Sequence, residues 1–452
     1  MRKYFGTDGI RRKANEFDEI FLKKIALALT KELKKSKSNP KVLIGGDTRE
    51  STEYIANTII NCLVDNNVDV LHAGIIPTPA ISYLTEQFEC DASIMITASH
   101  NPAEYNGLKI LNNKGLKSSS DFIKKIEDNI DSINIEDFSV DSKKANVKNC
   151  HDEALEKYKA YLISLCENKL DGLKIMLDCA NGATGVVAKE IFAELGAKVE
   201  AINVSTSYGT NINDNCGSTY LDSIKDALTL DFSFGASFDG DGDRVLFVAS
   251  DEKGEIIEID GDYILAIIAN YLSSKMELEN NTIATTVMAN QGLMNWANKN
   301  DFKIHITDVG DTFVKEAMDE HNISLGGEQS GHVILKGQNT GDGILVALLL
   351  ANIVKVTNKS LAQLSSVMTK TPQKIINITA DEKEKALIKS DDFQHIVENF
   401  NEEFAKSGGR INIRPSGTEP LIRLTIWAET TQEIEIAANE LLNQIKTFLT
   451  NN

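Results

Sequence analysis

Three successive stretches of this chain alternate short apolar, strand-like runs with amphipathic helical stripes, and that repetition confines the fold to layered α/β units. In the first stretch Leu22, Ile25, Leu29 and Leu33 line one helix face, and strands over 42–44, 68–71 and 92–96 alternate with helices near 54–64 and over 79–88. The second has a strand over 174–178, the turn Asn181-Gly182-Ala183-Thr184-Gly185, a helix ending at Gly196 and a strand over 198–202; Gly196 suits the left-handed position after a helix. The third follows the turn Asp251-Glu252-Lys253-Gly254 with a helix over 263–272, strands over 283–287 and 304–307, and a helix over 293–297 between them. The end departs from this pattern. Strands over 374–379 and 421–428 and the stripe Ile434, Ala437, Ala438, Leu441, Leu442, Ile445, Phe448 predict a smaller α+β unit, the stripe being core packing.

The expected fold is therefore α/β, with three similar mixed α/β domains followed by a smaller C-terminal α+β domain. The expected boundaries are 1–150, 151–252, 253–370 and 371–452, the first falling in the polar, weakly periodic residues 132–150. A length of 452 residues agrees, since domains of about 150 residues are common. A formal charge of -19, from 47 Lys and Arg against 66 Asp and Glu, argues against a nucleic-acid or membrane-surface binder. An anionic small substrate would need local cations. The longest apolar run, 344–351, is far short of the roughly 20 residues that span a bilayer, and the first residues lack a secretory leader, so no membrane segment and a cytoplasmic location are expected. Six scattered cysteines without a Cys-x-x-Cys pair read as reduced, mostly buried thiols, in place of zinc ligands or disulfides.

Three segments carry chemistry. Asp239, Asp241 and Asp243 are separated only by glycines, and their mutual repulsion is costly unless a cation is held. Oxygen-only ligands favour a hard divalent ion, with magnesium the default in phosphoryl transfer. A calcium EF-hand loop would need glycine and glutamate where Arg244 and Ser250 stand; a solvated acidic turn is the plainer alternative. The second segment, Thr97-Ala98-Ser99-His100-Asn101-Pro102, closes the apolar run over 92–96, where ligands collect at the carboxyl ends of strands. Ser99 is a turn residue, a nucleophile activated by His100, or a phosphoryl carrier whose dianion adds a metal ligand. Adjacent side chains on an extended strand point apart and no Gly-x-Ser-x-Gly elbow is present; only the phosphoryl reading joins Ser99 to the aspartates. In the third, Arg410, Arg414, Ser416, Gly417, Thr418 and Arg423 concentrate cations, hydroxyls and a turn suited to an anion, against the alternative of a basic surface loop. Two weaker signals accompany them. Glu328, Ser330 and His332 in a glycine-rich loop suit sugar hydroxyls, and Lys109 is a proton carrier if neighbouring cations lower its pKa, or else an exposed lysine. No Walker A or His-Glu-x-x-His motif occurs.

These segments, with Lys3-Tyr4-Phe5-Gly6-Thr7-Asp8-Gly9-Ile10-Arg11, Asn211-Ile212-Asn213, Cys216-Gly217-Ser218-Thr219, Val309-Gly310-Asp311 and Gly327-Glu328-Gln329-Ser330-Gly331-His332, resemble the α-D-phosphohexomutase superfamily and its bacterial phosphoglucosamine mutase branch. The resemblance implies four domains around a central cleft and a phosphoserine at Ser99. It implies one Mg2+ per chain held by Ser99, Asp239, Asp241 and Asp243, with Arg11, His100, Lys109 and Arg244 around the transferred phosphoryl group. Glu328, Ser330 and His332 would read sugar hydroxyls, while Arg414, Ser416, Gly417, Thr418 and Arg423 would hold the other phosphate. The implied reaction interconverts glucosamine 6-phosphate and glucosamine 1-phosphate through glucosamine 1,6-bisphosphate, also the priming intermediate, feeding UDP-N-acetylglucosamine and cell-wall synthesis. The implied partner is a small sugar phosphate, with no nucleic acid or membrane; a homodimer and a priming kinase or autophosphorylation remain open. Rival readings are a phosphomannomutase or phosphoglucomutase, a phosphatase, and a catalytically silent sugar-phosphate binder. Three residues depart from the superfamily's pattern: Arg12 for glycine, Gly46 for a basic residue and Thr312 for arginine.

Overall fold

The computed structural model describes residues 3–6, 8–134, 145–416 and 420–451. Four β-sheets organise the chain. The first runs Ile10–Lys13, Tyr105–Asn112, Ala92–Ile96, Lys41–Gly46, Asp69–Ile75, Val147–Asn149 in spatial order. The second runs Ile256–Ile259, Val245–Ser250, Phe234–Phe238, Lys174–Asp178, Lys198–Ile202, and the third Lys303–Thr307, Thr282–Thr286, Leu325–Gly327, Val333–Leu335.

One motif recurs in all three. A first strand lies between two parallel neighbours, its second and third in chain order, and a fourth returns antiparallel beside the third. The expected repetition is thus present as topology. The third strands of the first two sheets, Ala92–Ile96 and Phe234–Phe238, are buried along their whole length, which is why they read as unbroken apolar runs. The loop after each third strand holds chemistry: 97–104, 239–244 and 328–332 are equivalent positions in three copies of one unit. All three leave the carboxyl ends of their strands, where open α/β sheets gather ligands.

The fourth sheet, Gln373–Thr379, Leu421–Trp427, Arg410–Pro415, is antiparallel throughout and packs on the helices Asp391–Ala405 and Thr431–Asn451. Its core, with Phe393, Ile411, Ile422, Leu424, Ile426 and Leu441, is separate, whereas one apolar cluster runs from Leu43 through Ile175 and Phe247 to Leu325 and joins the first three units. The residues 344–351 fall within the helix Gly343–Thr357, which that shared cluster buries. Val147–Asn149 adds an edge strand to the first sheet, and Ile256–Ile259 forms a hairpin with Val245–Ser250, so position 252/253 lies in the turn of that hairpin. Among the described residues no helix is long and apolar enough to cross a membrane.

Candidate active site

The serine loop is held from beneath by a buried arginine. Arg49 donates from Nη2 to the carbonyls of Ser99 (2.9 Å) and Asn101 (2.7 Å), and from Nη1 to those of Pro102 (2.5 Å) and Tyr105 (2.9 Å). Its Nε donates to Asp47 Oδ2, which also accepts from Thr97 Oγ1, and Thr97 Oγ1 in turn accepts from the Ser99 N–H at 2.8 Å. Asn213, from the second unit, clasps the same loop by donating to the carbonyls of Ser99 and Asn101. Held in this way, Ser99 adopts a left-handed backbone with φ 53°. That conformation overturns one expectation. Because the loop is not extended, the side chains of Ser99 and His100 share a side, with Oγ 3.3 Å from Nδ1. Burial, with Arg244 and Arg11 close by, drives the His100 pKa down to about 3, leaving a neutral imidazole beside the hydroxyl.

Ser99 Oγ donates its stronger hydrogen bond, 2.6 Å, to Asp239 Oδ2. Asp239, Asp241 and Asp243 are all buried and each offers an oxygen within 4.8 Å of the others. Gly240 lets the two loops nest, since a Cβ there would lie 2.7 Å from the Ser99 carbonyl oxygen. Asp241 is fixed by Thr78 Oγ1 at 2.6 Å and by Lys109 Nζ at 2.9 Å, and Asp243 by Lys109 at 3.1 Å. Burial, Asp243 and Asp241 raise the Asp239 pKa well above the ordinary range, as expected for crowded carboxylates without a cation. Burial would raise Asp243 as well, but Lys109, His332 and Arg244 outweigh it and hold that group low. Asp241 Oδ1 and Asp243 Oδ1 are buried without a hydrogen-bond partner, so the cluster retains oxygens for a hard divalent ion. Burial disfavours the charge on Lys109, yet Asp241, Asp243 and Asp8 surround it and raise its pKa. Arg11 nearby works the other way but is outweighed, so the net shift is opposite to the lowering that a proton-carrying lysine would require.

The glycine-rich loop of the third unit rests on the aspartate loop. The Val245 N–H donates to the Gly331 carbonyl, and His332 Nδ1 lies 3.6 Å from Asp243 Oδ1 while the Gly341 N–H aims at Nε2. Glu328 Oε1 accepts from the Gly310 N–H, and Ser330 lies half-buried between Glu328 and His332 in the chain. Arg11 and Arg244 also face this centre: Arg11 Nη2 donates to Asp8 Oδ2 at 2.6 Å and Arg244 Nε lies 3.9 Å from Asp243 Oδ1. Arg414 and Arg423 are directly opposed across two antiparallel strands, an arrangement that repels unless an anion lies between. Burial and Arg423 lower the Arg414 pKa while Glu328 works to raise it, which puts this pair within electrostatic reach of the glycine-rich loop. Ser416 is buried at the end of its strand, and Gly417 and Thr418 lie outside the described residues. Arg410 is not part of this group; it stacks 4.0 Å over the Trp427 ring and donates to the Ala289 carbonyl.

The phosphoglucomutase/phosphomannomutase family models match in order: alpha/beta/alpha domain I over 2–136, domain II over 153–254, domain III over 260–371 and the C-terminal domain over 354–444. The chain belongs to this family. Curated relatives named phosphoglucosamine mutase include those of Clostridioides difficile, 40% identical over 99% of both chains, and Clostridium botulinum, 40% identical over 98% of this chain and 99% of the relative. Such mutases are isomerases that act as intramolecular phosphotransferases. The fold is shared with a Burkholderia thailandensis phosphoglucomutase/phosphomannomutase family protein, with a TM-score of 0.79 at 21% identity over 99% of this chain and 98% of that one. It is also shared with Aspergillus fumigatus N-acetylphosphoglucosamine mutase in complex with GlcNAc-6P and magnesium, with a TM-score of 0.69 at 18% identity over 99% and 96%.

In this phosphohexomutase the three departures have distinct settings. Arg12 stacks 4.2 Å over Phe21, and a side chain at Gly46 would meet Thr52 Cγ2 at 2.4 Å, so a basic residue has no room there. Thr312 donates its N–H to Asp311 and leaves its buried hydroxyl without a hydrogen-bond partner. Sequence reading missed Arg49, Asp47, Thr78 and Asn213 as site residues, and it passed over the ionic contacts of Asp8 and Lys117. Their partners are distant in sequence; Asp8 and Asn213 stood inside segments that carried the family resemblance, without a role of their own.

Proposed function

We propose that this chain interconverts glucosamine 6-phosphate and glucosamine 1-phosphate, with Ser99 as the phosphoryl carrier. The observation that carries this reading is the 2.6 Å contact of Ser99 Oγ with Asp239 inside a buried three-aspartate cluster. Relatives about 40% identical over nearly the whole chain, named for glucosamine phosphate, support the choice of sugar. Asp239, Asp241, Asp243 and an oxygen of phosphorylated Ser99 would hold one Mg2+, which would offset charge on the transferring phosphoryl group.

The remaining work falls to side chains. Lys109, Arg11 and Arg244 stabilise the negative oxygens during transfer. Glu328, Ser330 and His332 orient the sugar by its hydroxyls, and Arg414, Ser416 and Arg423 grip the phosphate that does not react, with Gly417 and Thr418 assigned to the same clamp. The phosphoryl group passes from Ser99 to the free hydroxyl of glucosamine 6-phosphate, giving the 1,6-bisphosphate. The bisphosphate turns, its other phosphate returns to Ser99, and glucosamine 1-phosphate leaves. The clamp must therefore accept either phosphate. Approach of the C-terminal unit would shield the phosphoserine from water.

A coupled assay with glucosamine 6-phosphate, with and without magnesium, tests the reading. Wild type should turn over only with the metal, carry one phosphate on Ser99 by intact mass, and lose activity as Ser99→Ala while staying folded. Faster turnover of glucose or mannose phosphates would select the related mutases, and steady release of inorganic phosphate a phosphatase. No phosphate on Ser99 and no turnover after priming with bisphosphate would leave a silent binder.

A further inference from the structure

Six polar side chains from three units lie in sequence around one junction beside the aspartate cluster. Lys117 Nζ lies 2.6 Å from Asp8 Oδ1 and 2.7 Å from Asp311 Oδ1. Asp8 Oδ2 is 3.3 Å from Lys109 Nζ, which is 3.1 Å from Asp243 Oδ2. Asp243 Oδ1 is 3.6 Å from His332 Nδ1, and His332 Nε2, which accepts the Gly341 N–H, lies 3.6 Å from Asp311 Oδ2. Asp8, Lys109 and Lys117 belong to the first unit, Asp243 to the second, and Asp311 and His332 to the third.

Lys109, Asp243 and His332 already have places in the reaction. Lys117, Asp8 and Asp311 do not, and Lys117 is the cation between the other two. Its ammonium ties the start of the helix Asp311–His321 directly to the first unit. Side-chain exposures of 26% for Lys117, 24% for Asp8 and 17% for Asp311 place the bridge where water screens only part of the charge. With no ammonium there, two partly buried carboxylates would face each other across the junction of the first and third units. Asp8 and Asp311, which also face Lys109 and His332, would each lose the cation that fixes their position.

We propose that Lys117 is a positioning residue for the phosphoryl transfer: by bridging Asp8 and Asp311 it locks the third unit's sugar loop onto the first unit and holds Lys109 and His332 around Asp243. This inference rests on the mutase reading for its kinetic arm but not for its structural one. Misplacement of catalytic groups by about 1 Å is enough to cost on the order of 100-fold in rate, so Lys117→Met should lower kcat by that order with KM changed little. Lys117→Arg, whose guanidinium fork can still span two carboxylates, should restore most of the loss. Asp311→Asn removes the other end of the bridge and serves as a second variant if Lys117→Met does not fold; it should show the same kcat-specific loss.

Hydrogen-deuterium exchange of each folded variant reads the lock without turnover. Faster exchange is expected together in residues 8–11 and 310–332, and wild-type exchange in Lys117→Arg. A kcat within about twofold of wild type in Lys117→Met, a loss confined to KM, failure of arginine to rescue, or faster exchange only near residue 117 would each overturn the proposal. If wild type turned over no hexose phosphate, the functional reading would fall, and the exchange data would still decide whether Lys117 joins the two units.

Discussion

Ser99 owes its place to residues that carry no chemistry of their own. Arg49 spends its guanidinium on four carbonyls of the serine loop and on Asp47, in a wholly buried setting. A lysine would keep the charge beside Asp47 but could not fork across those carbonyls. Arg49→Lys should therefore lower turnover on the order of 100-fold and also lower the melting temperature, because several buried carbonyls lose donors. Wild-type kcat in that variant, measured beside a thermal melt, would contradict the assignment. The same loop shows what could be read in advance. Ser99 stood out in a turn that closes an apolar run, and Asp239, Asp241 and Asp243 because glycines alone separate them. Arg49 did not, since a lone arginine near a strand end gives no sign of the carbonyls it will meet some 50 residues later.

At the level of elements, the helix Gly343–Thr357 begins with Asp342, whose carboxylate accepts from the Leu345 N–H at 3.0 Å and from Tyr158 Oη at 2.8 Å. It thereby caps one unit's helix and anchors the helix His151–Ser164. Burial raises its pKa to about 6 from 3.8, although the Leu345 N–H and the Tyr158 hydroxyl pull the other way. The folded state thus keeps a proton that the unfolded chain releases, so this group's contribution to stability falls as pH rises from about 4 to 6 and is flat above. The full cost is about 3 kcal/mol. Asp342→Asn retains a capping side chain without the charge. Its stability relative to wild type should improve between pH 4 and 6 and then level off. Denaturant unfolding at pH 4.5 and 7.5 checks this, and an unchanged difference between the two pH values would count against it. The strand Tyr105–Asn112 illustrates what element-level reading missed. Asn106 and Lys109 interrupt its apolar pattern; Asn106 is buried against Ser51 and Thr52 of its own unit, and Lys109 against Asp241 and Asp243 of the second.

Across the whole molecule, the first three units share one apolar cluster, whereas the C-terminal unit has its own. Its junction with the third unit is polar. Gln373 Oε1 accepts from Asn290 Nδ2 and Trp427 Nε1, and the Gln373 and Gln329 amides pair reciprocally at 3.3 Å. A separate core behind a polar junction favours independent opening. Calorimetry of the whole chain should resolve two transitions, with hydrogen exchange faster across 373–451 than in the strands of the first two sheets. A single transition whose calorimetric and van't Hoff enthalpies agree would refute this. The sequence by itself determined the layered α/β units, the break to an α+β end and the identity of the serine, aspartate, glycine-rich and C-terminal loops, because apolar periodicity and local motif composition act over a few residues. Only the tertiary structure decided that three of those loops occupy one position in a repeated sheet, that Ser99 turns its hydroxyl to Asp239, and that Lys117 bridges Asp8 and Asp311. Such contacts join residues far apart in the chain, and charges become partners only after packing removes the water between them.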